Sequence, residues 1–299
     1  MSVIVTVVDG GDAVVEVLDA LVRQAGAPPL EILVAWDDTI PEVGALSTRF
    51  PAVRFIGMGP VATARPPKSP AGQHELFDRR RSAALTHASG ELVAMVEDRA
   101  RPRPDWAATM VRAHRDLPHG VIGGAIAPAT TDVLNWSVWA VDYGRYAPPF
   151  ATGARDWVSD VNVCYKRRCI EATRTTWHDR YNEARVHWSL AASGEVLFLI
   201  PDAVVEFRSH YATLGTLARQ RFHWGRLFGQ VRAGDASVAR RAALVLASPI
   251  VPFVLLLRHG RTQQRLGNAP SYLRALPTVL AILVAWSAGE AWGAITGRA

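Results

Sequence analysis

The chain has 299 residues, with 49 % hydrophobic side chains and a net charge of +6, enough for one large domain plus an appendage. Lys68 and Lys166 are the only lysines among 33 basic residues; the arginines are scattered and form no nucleic-acid module, so nucleic acid is not expected as a partner. An anionic membrane surface or a phosphorylated substrate suits the charge better. Cys164 and Cys169 are too few for a disulfide framework or a cysteine zinc site, so a reducing compartment is expected.

Residues 2–8 form a β-branched run with no basic n-region or cleavage site, which reads as a strand rather than a signal peptide. Asp9-Gly10-Gly11 turns the chain. Residues 12–24 have helical spacing, with Asp12 expected as N-cap. Residues 31–36 are a second apolar strand ending in Asp37-Asp38, 41–50 a short helix and 53–58 a third strand. Strand, helix and strand so close together imply a parallel sheet covered by helices. Residues 60–73 read as a loop and 75–89 as a helix stopped by Gly90. Residues 92–96 then form a strand buried on both faces.

Glu97 and Asp98 end that strand, followed by Arg99, Arg101 and Arg103, and Pro102 and Pro104 are expected to take the chain out of the sheet. Ligands of open α/β sheets gather at the carboxyl ends of strands. Acids followed by arginines there either hold a divalent cation and a diphosphate, or form a solvated charged loop. Acids at three strand ends point to one crevice.

Further on, a helix starts at 105 or 106 and stops before Leu117. A strand follows at 121–127, then an aromatic-rich segment at 135–150 that either lines an acceptor groove or packs on the core. A strand at 158–165, an irregular polar stretch at 173–182 and a helix at 183–193 come next. Strands at 196–200 and 204–207 precede an amphipathic helix at 214–228. Residues 1–235 read as a globular domain, and 236–299 as an apolar helical segment.

This succession resembles the family 2 glycosyltransferases, over roughly residues 2–230. Ser2-Val-Ile-Val-Thr-Val-Val-Asp9 is similar to the family's first strand and Glu31-Ile-Leu-Val-Ala-Trp-Asp-Asp38 to its second. Arg81-Ser-Ala-Ala-Leu-Thr-His-Ala-Ser-Gly-Glu91 resembles the Arg-Asn-Ala-Ala…Gly-Glu helix. Glu97-Asp98-Arg99 takes the place of the Asp-x-Asp motif, and Asn162-Val-Cys-Tyr-Lys-Arg167 that of the acceptor-side segment. Asn182-Glu183 stands where the family has Glu-Asp.

The resemblance implies a GT-A-like α/β fold, a Rossmann-type mixed sheet with helices on both faces, plus apolar C-terminal helices. It implies inverting transfer of a sugar from a nucleotide-sugar donor to a hydroxyl of a saccharide or lipid-linked acceptor. Glu183 would be the base; the alternative is a first-turn glutamate favoured by the helix dipole. Glu97 and Asp98 would hold Mg²⁺ or Mn²⁺, or Arg99 would replace the metal's charge. Asp9, Asp37, Asp38, Arg81 and Arg99 would meet the donor, and Asn162 and Tyr165 the acceptor side. The weakened motifs leave a second reading, a non-catalytic sugar- or nucleotide-binding subunit of a larger assembly or homo-oligomer. A nucleotidyltransferase would need a glycine-rich, lysine-bearing first loop, and the sequence has none.

At the C-terminus, residues 242–257 are apolar but shorter than a membrane span and contain Pro249 and Pro252. Residues 275–295 are long enough but include Glu290. Arg258, Arg261, Arg265 and Arg274 lie between with no acid, and two crossings would put them opposite a cytosolic catalytic domain, against the positive-inside tendency. The first segment is therefore expected to lie in the interface, with Arg240 and Arg241 towards headgroups, and the second to insert once or lie flat. The alternative is apolar helices packed on protein. The expected location is the cytoplasmic face of the cell membrane.

Overall fold

A computed structural model of the chain describes residues 1–8, 10–234 and 236–297. In chain order it begins β1 (Ser2–Thr6), α1 (Asp12–Val22), β2 (Glu31–Trp36), α2 (Pro41–Ala45), β3 (Val53–Gly57), α3 (Pro70–His87) and β4 (Leu92–Glu97). It continues with β5 (Ala100–Pro102), α4 (Trp106–Asp116), β6 (Val121–Pro128), α5 (Val133–Asp142), β7 (Gly153–Ala154), β8 (Asn162–Lys166), α6 (Arg167–Ala172), α7 (Arg174–Trp177) and α8 (Glu183–Ala192). The last elements are β9 (Leu197–Phe207), α9 (Leu214–Gly234), α10 (Val238–Ala247), α11 (Val251–Arg265) and α12 (Ala269–Thr296). Two compact units divide them: Met1–Ala127 with Pro148–Phe207, and Pro128–Ala147 with Arg208–Ala299.

The first unit holds one mixed sheet of nine strands, in the order β3-β2-β1-β4-β8-β6-β9-β5, with β7 beside β9. β3, β2, β1 and β4 run parallel, and β8 joins β4 antiparallel. The expected α/β mixed sheet flanked by helices is the one observed. Parallel neighbours need covering crossovers, and the strands accordingly have no polar face: Val3, Ile4, Val5, Leu33, Val34, Val93 and Met95 are at most 1 % exposed. Each such side chain stabilises the fold by about 1.5–3 kcal/mol.

Several local expectations are corrected. Asp12 is the first helical residue of α1, behind Gly11 at φ 77°, so its carboxylate acts in the first turn rather than as the cap. α3 starts at Pro70, because Ser69 Oγ caps it by accepting the Gly72 N–H at 3.1 Å. The chain does leave β4 after Glu97, but it rejoins the sheet as β5, with Pro102 on the terminal strand, where a missing N–H is tolerated. The two strands expected on either side of Pro201 are one, β9. Part of the stretch expected to be irregular is helical, as α7.

The second unit consists of α5 and α9 to α12. α9 and α12 cross at glycines: a Cβ on Gly225 or Gly229 would lie 2.2 and 2.1 Å from the backbone oxygens of Trp286 and Glu290. Reciprocally, a Cβ on Gly289 or Gly293 would lie 2.1 Å from those of Phe222 and Arg226. Backbones touch here as they do in small-xxx-small helix pairs. Glu290, the acid inside the apolar segment, pairs with Arg232 of α9 at 2.6 Å. Arg221 of α9 binds Asp142 of α5 through both nitrogens, at 3.0 and 2.6 Å.

Candidate active site

β2, β1 and β4 are parallel neighbours, so their carboxyl ends share one edge of the sheet. Asp98 locks the tips together: its N–H donates to Thr6 O at 3.0 Å, and its Oδ2 accepts the Val8 N–H at 2.9 Å. Gly90 lets α3 and β4 meet β1, since a Cβ there would lie 2.6 Å from Ser2 N.

Asp37 is spent inside the fold. It lies against Arg80 Nε at 2.6 Å with both side chains 1 % exposed, and it also accepts from Thr39 N and Oγ1 at 2.9 and 2.6 Å. Burial by itself would raise its pKa; the bonds from Arg80 and Thr39 outweigh burial and hold it below the ordinary carboxylate range. Arg80 donates onward to Val7 O and Val8 O at 3.1 and 3.2 Å. Asp38 is exposed beside this pair, and Asp9 lies outside the described residues.

Arg81, expected at the donor, is held among carboxylates in this structure. It is 4 % exposed and bonds the carboxylates of Asp160 and Asp78, the latter at 2.5 Å. It further donates to Tyr181 O at 3.4 Å, between the rings of Phe77 and Tyr181 at 4.0 and 4.8 Å. Its guanidinium therefore joins α3 to the segments preceding β8 and α8.

Those two segments carry Asp160 and Glu183. Glu183 opens α8, whose cap is Asn182, with Oδ1 accepting the Arg185 N–H at 3.1 Å. The Asp160 N–H donates to Glu183 Oε1 at 2.7 Å, leaving Oε2 as the other proton-accepting atom of the carboxylate. Burial and the negative charge of Asp160 raise the Glu183 pKa well above the ordinary range, against the Asp160 N–H and Arg81, and Glu97 raises it further. Glu97 is pushed up to about 8 by burial, Asp160 and Asp98, against Arg99 and Arg81. Glu97, Asp98, Asp160 and Glu183 thus form one electrostatic cluster with Arg81 and Arg99.

Asp160 was not anticipated. It stands two residues before Asn162, and its only sequence signal is an acid ahead of that segment. Asn162 and Tyr165 are fully buried. Asn162 accepts from Trp106 Nε1 at 2.8 Å and donates to Ala125 O and Ala203 O at 2.8 and 2.9 Å. Tyr165 Oη lies 3.0 Å from Tyr181 Oη and 2.8 Å from His187 Nε2. Both are therefore bonded within the core. Arg101 and Arg103 pair instead with Glu206 of β9, at 2.5 and 3.3 Å.

Among the described residues no group of three or more His, Cys, Asp or Glu side chains stands ready to enclose a metal ion. The acids nonetheless fit a cation that also takes phosphate oxygens and water, since Mg²⁺ needs only one or two carboxylates from the protein. Burial first, then the charges of Asp160 and Asp98, raise Glu97, and a cation bound there would favour its ionised form.

No family model and no curated protein matches the sequence. Among solved structures, the mannosyltransferase PcManGT from Pyrobaculum calidifontis, in complex with GDP-Man and Mn²⁺, is similar at TM-score 0.54 and 18 % identity over 97 % of this chain and 86 % of that one. S. aureus TarS residues 1–349 align at TM-score 0.47 and 15 % identity over 93 % of this chain and 79 % of that one. The mixed α/β architecture with its apolar C-terminal helix is a glycosyltransferase-like fold.

Proposed function

We propose that the protein is an inverting glycosyltransferase of family 2 type, moving a sugar from a nucleoside-diphosphate donor to a hydroxyl at the cytoplasmic face of the membrane. Cell-envelope polysaccharide or glycolipid synthesis is the expected setting. One observation carries this: Glu183 and the Glu97-Asp98 strand tip, remote in sequence, lie close enough for their charges to act on one another, on a glycosyltransferase-like fold. The mannosyltransferase of that fold was solved with GDP-Man and Mn²⁺.

Inverting transfer is one displacement at the anomeric carbon. The acceptor oxygen attacks, its proton goes to a base, and the nucleoside diphosphate leaves. Glu183 takes the proton on Oε2 while the Asp160 N–H holds Oε1. Arg81 positions that pair from behind. Glu97 and Asp98 would hold Mg²⁺ or Mn²⁺, whose charge would stabilise the leaving diphosphate. Arg99 adds a fixed positive charge beside the same acids. Asp38 is the exposed acid at the β2 tip for the nucleoside. The domain carrying this chemistry would be residues 1–235, with 236–299 attaching it to the membrane.

Donor turnover, assayed with UDP, GDP and dTDP sugars with and without Mn²⁺, tests the reading. Wild type should turn over at least one donor, and Glu183→Gln should lose about 10²–10⁴-fold, the usual worth of a general base. Full turnover by Glu183→Gln would remove the base. Donor binding without turnover by wild type would favour a non-catalytic binding subunit.

A further inference from the structure

The second unit carries a surface that this chemistry does not use. Arg241–Ala247 and Val251–Arg265 meet at a bend of 63°. Around it Leu246, Ile250, Phe253, Val254 and Leu257 are 79, 65, 56, 58 and 64 % exposed. Single exposed apolar residues are ordinary, but a run of large ones marks an interaction surface.

α11 changes chemistry along its length. Phe253, Leu257, Arg261 and Arg265 recur every four residues and so share a face, apolar near the bend and basic at the far end. Arg258 is exposed beside them. No acid occurs between Asp235 and Glu290, whereas Arg240, Arg241, Arg258, Arg261, Arg265 and Arg274 do. An apolar tip with a cationic collar complements an anionic lipid surface. A second copy of the chain would instead bring like charges together with no acid to offset them. One face of α12 is committed elsewhere, its Gly289 and Gly293 against α9 and Glu290 paired with Arg232.

We propose that the α10–α11 bend inserts into the headgroup boundary of an anionic bilayer, with Arg258, Arg261 and Arg265 at the level of the lipid phosphates. This deepens, and rests on, the membrane-attached part of the proposed function. From Ile250 to Leu257 the helical rise gives about 10 Å. That matches the ~5–10 Å burial of interfacial helices and falls far short of a span.

The test uses the full chain and vesicles of phosphatidylcholine, alone or mixed with phosphatidylglycerol. The chain should sediment with mixed vesicles and not with phosphatidylcholine alone, and added salt should release it. Combining Arg258→Gln, Arg261→Gln and Arg265→Gln should weaken binding by about a hundredfold, at roughly a tenfold or less per arginine. Combining Ile250→Asp with Phe253→Asp should weaken it at least about tenfold. A nitrobenzoxadiazole probe on Ile250→Cys should brighten and shift to the blue with mixed vesicles, and one on Gln264→Cys should not. This arm decides the matter even where the aspartates impair folding. Equal binding to both vesicles, unweakened binding by a folded aspartate variant, or an unshifted probe at 250 would each overturn the proposal. So would an aspartate variant that turns an oligomer into a monomer yet keeps its vesicle binding. Donor turnover measured without vesicles should be unchanged in these variants. For the wild-type chain, no binding to mixed vesicles with intact turnover rejects the docking alone, and binding without turnover rejects the enzyme reading alone.

Discussion

At the scale of single residues, the site is a contest between acids that burial pushes towards neutrality and arginines that pull the other way. Glu97 makes the contest measurable. Its folded pKa of about 8 lies above the ordinary 4.5. The native state therefore holds an extra proton between these values, and the associated stability is fully present below about 4.5 and lost as pH rises through about 8. The melting temperature should fall across that window, and the fall should be smaller in Glu97→Gln. A melting curve in which Glu97→Gln follows wild type at every pH would mean that Glu97 is not the group that titrates in this window. Arg80 gives the opposite case, a buried cation paired with the buried carboxylate of Asp37. Arg80→Met should destabilise the chain by about 3–5 kcal/mol, since it leaves a buried carboxylate uncompensated. Chemical denaturation measures this, and a loss below about 1 kcal/mol would mean that water reaches Asp37.

At the scale of elements, the crossing of α9 and α12 depends on four glycines whose absent side chains let the backbones touch. Gly289→Leu should force the helices apart and cost at least the about 1–3 kcal/mol typical of overpacking. Thermal unfolding would register it, whereas the same change at Ala288, exposed on α12, should be nearly silent. The crossing also bears on truncation. α9 falls in the second unit together with α12, so a chain ending at residue 235 would keep α9 but strip it of its partner. Such a chain should aggregate where the full chain does not, as light scattering at equal concentration would record. A monodisperse, cooperatively folding 1–235 fragment would mean that α9 is stable without α12.

At the scale of the whole molecule, the parallel strands were legible because burial on both faces leaves near-continuous apolar runs, as in residues 2–6, 31–36 and 92–96. The acids at the strand tips were legible for a similar reason: charge breaks such a run. Glu183 was legible as the polar start of a helix, and its resemblance to a known motif gave it a role. Periodicity carries no record of side-chain partners. Asp37 and Arg81 have the residue types of donor ligands, yet Arg80 occupies the first, and Asp78 and Asp160 hold the second. Asp160, which holds Glu183 through its own N–H and sets the charge around it, carried almost no local signal. The sequence by itself determined where strands end in charge and which segments are apolar, because these are local properties of burial and hydrogen bonding. Only the tertiary structure decided which charges meet. An ion pair such as Arg80 with Asp37 is made by the sheet order and by α3 lying over β1 and β2, and no window of sequence contains both partners.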